Sequence, residues 1–152
     1  METVLIVGDS KQAFGVAKAI KRHISTTYAE INVEDYTSFK TIQSAKTLIF
    51  VLPAYKEPYQ HFRKLVLNLK EQGLNHKEIV FISTNGSAVH HGVMQMWVRE
   101  IGCLRASASF PDNNLCLKPN GELLMTEKNS QKNCYLLCIS CKRITKQKLF
   151  LS

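Results

Sequence analysis

The chain alternates between two kinds of hydrophobic pattern. Short, nearly continuous apolar blocks read as strands, and between them apolar residues recur every three or four positions, as on one face of a helix. Thr3 to Val7 is the first such block and Tyr28 to Val33 the second. Leu48 to Leu52 is the most apolar, Glu78 to Ser83 is the fourth, and Arg105 to Phe110 is a weaker fifth. After the first block, Ala13, Val16, Ala17 and Ile20 share a helical face from Lys11 onward. Tyr36 to Ser44 reads as a short helix around Phe39 and Ile42. A longer helix opens near Pro58, carries Phe62, Leu65, Val66 and Leu69, and ends at Gly73. Val89 to Ile101 is helical, with Val93, Trp97 and Ile101 four apart and Gly102 closing it. Pro111 to Gly121 reads as loop, Leu123 onward as a short transition, and Ser130 to Lys146 as a final helix.

Strand and helix thus alternate five times. Such alternation implies a parallel sheet with helices on both faces, an α/β three-layer sandwich. Right-handed crossovers restrict the topology, and five strands fit the order 2-1-3-4-5 best. No repeat, low-complexity tract or linker divides the chain, so residues 1–152 are expected to form a single domain.

In that order, strands 1 and 3 flank the point where the winding reverses, and ligands bind outside the carboxyl ends of the strands there. The connections after strands 1, 3 and 4 share that rim. Gly8-Asp9-Ser10-Lys11-Gln12 opens a helix, so backbone amides and the helix dipole face an anion, with Ser10 and Lys11 as added donors. Pro53-Ala54-Tyr55-Lys56 follows the most apolar strand and brings an aromatic ring to cover a flat face. Thr84-Asn85-Gly86-Ser87 is small and polar, and its glycine lets backbone approach a ligand edge. Each connection alone is an ordinary turn; their convergence predicts a site for a flat, phosphate-bearing cofactor.

Composition narrows the setting. An apolar fraction of 45% and a charged fraction of 21% suit a soluble globular domain, with no run long enough to span a bilayer. The start, METVLIVGDS, enters a strand-like run without a basic region or cleavage site. Five cysteines without framework spacing fit a reducing, cytoplasmic environment. The formal charge of +8 argues against an acidic electron carrier and favours an anionic ligand. Nucleic acid is the competing partner, but the basic residues are scattered rather than set along one reading helix, which argues against it.

Several residues together resemble a known family. Pro53-Ala54-Tyr55-Lys56, with Lys64 and Asn68 beyond, resembles the P-x-Y-N-x-S-x-P-G-x-L-K-N-x-x-D stretch of the NADPH-dependent FMN reductase family. Ile82-Ser83-Thr84-Asn85-Gly86, then His91-Gly92 and a helix, resembles that family's next loop, and Thr3 to Lys11 its first strand and phosphate loop. The resemblance spans roughly residues 3 to 110. It implies a flavodoxin-like fold, bound FMN, hydride transfer from NADPH or NADH to the flavin, a small-molecule final acceptor, and often a homodimer. It assigns Ser10, Lys11 and Gln12 to the phosphate, Pro53, Ala54, Tyr55 and Lys56 to the ring system, and Thr84, Asn85 and Gly86 to the pyrimidine edge. No catalytic side chain is implied, because the hydride chemistry belongs to the flavin.

The chain departs from the family at defined places. Asp9 and Phe14 stand where serines are usual in the phosphate loop, Lys56 and Glu57 replace the Asn and Gly of the tyrosine loop, and Gln60-His61 replaces Pro-Gly. A flavodoxin-like binding or interaction module that has lost tight flavin binding is the alternative.

Two further patterns are read as structural. Cys134, Cys138 and Cys141 have the spacing of the iron-sulfur motif in radical S-adenosylmethionine enzymes, but the same spacing lines one helix face, and only a short tail follows. His90-His91 point in different directions on a helix with no further ligand at metal spacing, so they read as a polar helix start near the site. A phosphoacceptor receiver domain needs an Asp at the end of strand 3, where this chain has Leu52-Pro53.

Overall fold

The computed structural model describes residues 2–24, 27–33, 39–54, 56–73, 76–84, 86, 88–110, 115–117 and 123–125. The elements in chain order are β1 (Thr3–Val7), α1 (Lys11–Lys21), β2 (Tyr28–Asn32), α2 (Phe39–Ser44), β3 (Thr47–Pro53), α3 (Lys56–Glu71), β4 (Lys77–Thr84), α4 (Ala88–Val98), β5 (Gly102–Phe110), β6 (Leu115–Leu117) and β7 (Leu123–Met125).

Strands β1 to β5 form one sheet in the order β2-β1-β3-β4-β5, with every pairing parallel. This is the expected α/β architecture. β1 and β3 are buried along their whole length, as central parallel strands covered on both faces must be. Side chains alternate between the two faces. Val4, Ile6, Leu48, Phe50, Leu52, Ile79 and Phe81 pack against α2, α3 and α4 through Ile42, Phe62, Leu65, Val66, Leu69, Met94 and Val98. Leu5, Val7, Ile49, Val51, Val80 and Ile82 pack on the opposite face with Ala13, Val16, Ala17 and Ile20 of α1.

Phe62 is the centre of the first core. Its ring meets Phe50 edge-on at 5.4 Å, stacks on Phe81 at 6.1 Å and lies 6.1 Å from Trp97. Arg63 then covers Trp97, its guanidinium carbon 4.6 Å from the ring centroid, and bonds Glu100 at 3.1 Å. Helices α3 and α4 are therefore joined by an aromatic core with a charged clasp above it.

Several boundaries differ from the sequence reading. Pro53 ends β3 instead of lying beyond it, since a terminal strand residue need not donate to the ladder. α3 begins at Lys56, two residues before Pro58, which is thereby placed within the first turn where a missing amide costs nothing. α4 stops at Val98, and Gly102 opens β5 instead of capping the helix. A Cβ on Gly102 would lie 2.1 Å from the Lys77 carbonyl oxygen, so this glycine allows two strands to start side by side. Finally, part of the stretch read as loop and transition holds strands: β6 and β7 pair antiparallel, Leu115 with Met125, beside α1. Each is three residues long, too short for alternation to reveal, although Asn120-Gly121 between them is a strong hairpin signal. The expected helix over Ser130 to Lys146 and the Cys134, Cys138, Cys141 stripe lie outside the described residues.

β5 carries an irregularity. Ile79 pairs with Leu104 but Val80 pairs with Ala106, so Arg105 is an extra residue in the ladder. Leu104 packs on the α4 side, and Ala106 and Ala108 on the α1 side.

Candidate functional site

The connections after β1, β3 and β4 meet at one rim of the sheet. The Gly8 amide donates to the Val51 carbonyl at 2.8 Å, tying the end of β1 to β3. A Cβ on Gly8 would lie 2.4 Å from Pro53 Cδ. The Ala54 amide donates to the Thr84 carbonyl at 2.7 Å, tying the end of β3 to β4. A Cβ on Gly86 would lie 2.3 Å from the Ala54 carbonyl oxygen and 2.5 Å from its Cβ. Both glycines are therefore required by close backbone approach, and neither has a positive φ.

Ser10 caps α1. Its backbone is extended, at φ −150 and ψ 150, and its hydroxyl oxygen accepts the Ala13 amide at 3.0 Å. The Phe14 amide goes to the Ser10 carbonyl at 3.0 Å. Among the described residues, the amides of Lys11 and Gln12 are left as the open donors of this helix end. Lys11 is exposed beside them, and no acidic side chain stands in the first turn. These two amides, the helix dipole and a lysine suit a phosphate group. Asp9 is exposed, so its carboxylate keeps its hydration and can turn away from an anion.

The expected site residues are distributed as follows. Ser10 and Gln12 are half-buried and Lys11 is exposed, all at the start of α1. Pro53, Ala54 and Thr84 are buried at the ends of β3 and β4, and Gly86 is half-buried against Ala54. Lys56 begins α3, but its side chain lies outside the described residues, as do Tyr55 and Asn85 altogether. The described members of the three connections are neighbours on one rim, with Gly8, which the sequence reading named only as part of the first turn, as the piece that lets them close.

α4 contributes two histidines with separate roles. His90 reaches back across the rim, its Nδ1 3.0 Å from the Ala54 carbonyl oxygen. A carbonyl only accepts, so Nδ1 carries the proton. The sequence placed His90 near the site, but nothing in it pointed to Ala54, 36 residues away.

His91 turns the other way, under α4. Its Nδ1 lies 2.6 Å from Ser83 Oγ, and its Nε2 lies 3.1 Å from Gln95 Oε1 and 3.0 Å from Ser107 Oγ. Ser107 donates to Gln95 Oε1 at 2.9 Å, and Ser83 is 3.3 Å from Ser109 Oγ. Because Gln95 Oε1 accepts, the proton sits on Nε2, and Nδ1 accepts from the Ser83 hydroxyl. The Phe81 ring lies 5.1 Å away. Burial holds His91 below its ordinary range, partly opposed by the Gln95 hydrogen bond. The arrangement is not a nucleophile with its base: the lone pair faces Ser83, only 1% exposed, and the exposed Ser107 faces a ring N–H. It is a polar lock between α4, β4 and β5. Among the described residues no group of His, Cys, Asp and Glu is arranged to hold a metal.

No family model matches the chain, and no curated protein matches it by sequence. Its fold does match solved structures. A flavodoxin from Megasphaera elsdenii, solved in solution in its two-electron reduced form, superposes with a TM-score of 0.65 at 12% identity, covering 93% of this chain and 98% of that one. The Trp repressor binding protein from Bacillus subtilis superposes with a TM-score of 0.59 at 10% identity, covering 95% of this chain and 97% of that one. The chain therefore has a flavodoxin-like fold, as the family resemblance implied. No helix among the described residues is long and apolar enough to cross a membrane.

Proposed function

We propose that this chain binds FMN at the rim formed by the ends of β1, β3 and β4 and uses it to pass electrons from NADPH or NADH to a small acceptor. The observation that carries the reading is the closure of three connections at one edge, Gly8 on Pro53 and Gly86 on Ala54, beside a helix end with two open amides. In this reading the Lys11 and Gln12 amides, the Ser10 hydroxyl and the Lys11 ammonium hold the phosphate. Pro53, Ala54, Tyr55 and Lys56 line the ring system, and Thr84, Asn85 and Gly86 meet the pyrimidine edge. When bound, FMN would supply the hydride and electron chemistry between the nicotinamide donor and the acceptor. The protein's own part is to orient the ring, hold the phosphate and exclude water.

The net charge of +8 supports the reading, since both the cofactor and the nicotinamide donor are anionic. Asp9 and the half-exposed Phe14, at 46%, favour the second reading, a module of the same fold that has given up tight flavin binding. Titration with FMN separates the two. Quenching of flavin fluorescence at micromolar protein, with flavin bands retained through gel filtration and FMN-dependent oxidation of NADPH or NADH, supports the enzyme. An unquenched titration supports the module.

A further inference from the structure

Ala54 is held from three directions. Its amide is bound by the Thr84 carbonyl at 2.7 Å, its carbonyl by His90 Nδ1 at 3.0 Å, and Gly86 packs directly against both its carbonyl and its side chain. The backbone bond from β4 and the packing of Gly86 follow from the fold. The bond from His90 does not: it comes from a side chain on the next helix, 36 residues along the chain.

The helix that carries His90 is itself well fixed. Met94 and Val98 are fully buried in the core, and His91 is bonded to Ser83, Gln95 and Ser107. His90 is thus presented by a rigid element, which is what a precise anchor needs.

The Ala54 carbonyl shares its peptide plane with the amide of the next residue, Tyr55. Fixing that carbonyl sets the direction in which the chain leaves β3. Without His90, the carbonyl would keep only its packing against Gly86 among the described residues, and the peptide plane would be less restrained in turning about ψ of Ala54.

We propose that His90 is a positioning residue, whose hydrogen bond to the Ala54 carbonyl fixes the peptide at the end of β3 for a flat ring ligand. The ligand part rests on the FMN reading above; the anchoring part does not. The donor is the ring Nδ1–H, since a carbonyl only accepts.

Three variants test it: H90A, H90N and H90Q. Asparagine places an amide N–H the same number of bonds from Cα as Nδ1, while glutamine places it one bond too far. Amide hydrogen exchange is measured on the protein without added flavin, followed by FMN titration of each variant. Exchange across residues 54–59 is expected to rise about tenfold in H90A and H90Q, to return to the wild-type rate in H90N, and to stay unchanged in β1 and β3. Wild-type exchange in folded H90A and H90Q overturns the anchor. So does an H90N variant that exchanges as fast as H90A, because ring packing rather than the hydrogen bond would then be responsible. FMN affinity is expected to fall about tenfold in H90A and recover in H90N. Equal affinity in wild type and H90A overturns the role in ligand positioning. A wild-type protein that does not quench FMN removes the ligand, and the exchange data still decide the anchor.

Discussion

Gly8 and Pro53 are matched surfaces: the glycine offers bare backbone where the proline ring needs room, and a Cβ there would stand 2.4 Å from Cδ. The proline ring is rigid and buried at the end of a central strand, so it cannot yield. Gly8→Ala is therefore expected to destabilise the fold by about 1–3 kcal/mol, the usual range for overpacking, in urea unfolding. It is also expected to weaken FMN binding, because the first and second connections would be pushed apart. A variant as stable as wild type would show that the rim is not closed at this point.

Ser10→Ala removes the cap of α1, where the hydroxyl takes the Ala13 amide at 3.0 Å. A loss of about 1 kcal/mol is expected in unfolding experiments. If the same serine also faces phosphate, FMN affinity falls in S10A while the affinity for riboflavin, which has no phosphate, does not. Equal losses for both ligands would mean that Ser10 acts on the helix alone.

His91 makes stability depend on pH. Burial lowers its proton affinity in the folded protein, while the unfolded chain titrates near the ordinary 6.5. Between the lowered value and 6.5 the unfolded state binds more protons, so stability rises with pH there. Its contribution is complete above 6.5 and is lost as pH falls from there through the folded-state value. Urea midpoints measured from pH 8 to 5 should show this loss, and H91Q should remove that part of the slope. An unchanged slope in H91Q would place the dependence elsewhere.

The framework of the fold is legible in the sequence because it is written in runs and periods. Leu48 to Leu52 announces a strand covered on both faces, and Ala13, Val16, Ala17 and Ile20 announce a helix with one buried side; both hold. The positions of the three connections follow from strand order alone. What the sequence does not reveal are relations set by distance across the fold. Gly102 looks like a helix cap until Lys77 is seen beside it, and His90 and His91 look alike until one meets Ala54 and the other Ser83. β6 and β7 are too short to leave a period.

Phe62 is expected to be the costliest single truncation in the described core. It is fully buried and meets Phe50, Phe81 and Trp97. Phe62→Ala should cost about 3–5 kcal/mol in equilibrium unfolding. A cost near 1 kcal/mol would mean that the surrounding rings collapse into the space, which three aromatic neighbours held by separate elements make difficult.

The additional residue at Arg105 has an effect that extends past its own strand. Strand side chains change sides at every step, so a residue left out of the ladder reverses the odd-even facing of all that follow it in sequence. Beyond Arg105, the reversal turns Ser107 and Ser109 toward His91 and leaves Ala106 and Ala108 in the oily layer against α1. Drawing Arg105 into the ladder opposite Val80 would swap the two sets, giving the histidine methyl groups for neighbours and burying hydroxyls among hydrocarbon, whereas deleting it would leave the facing as it is. The polar underside of α4 is thus a matter of counting: the same amino acids, paired one place further along β4, would line the wrong wall.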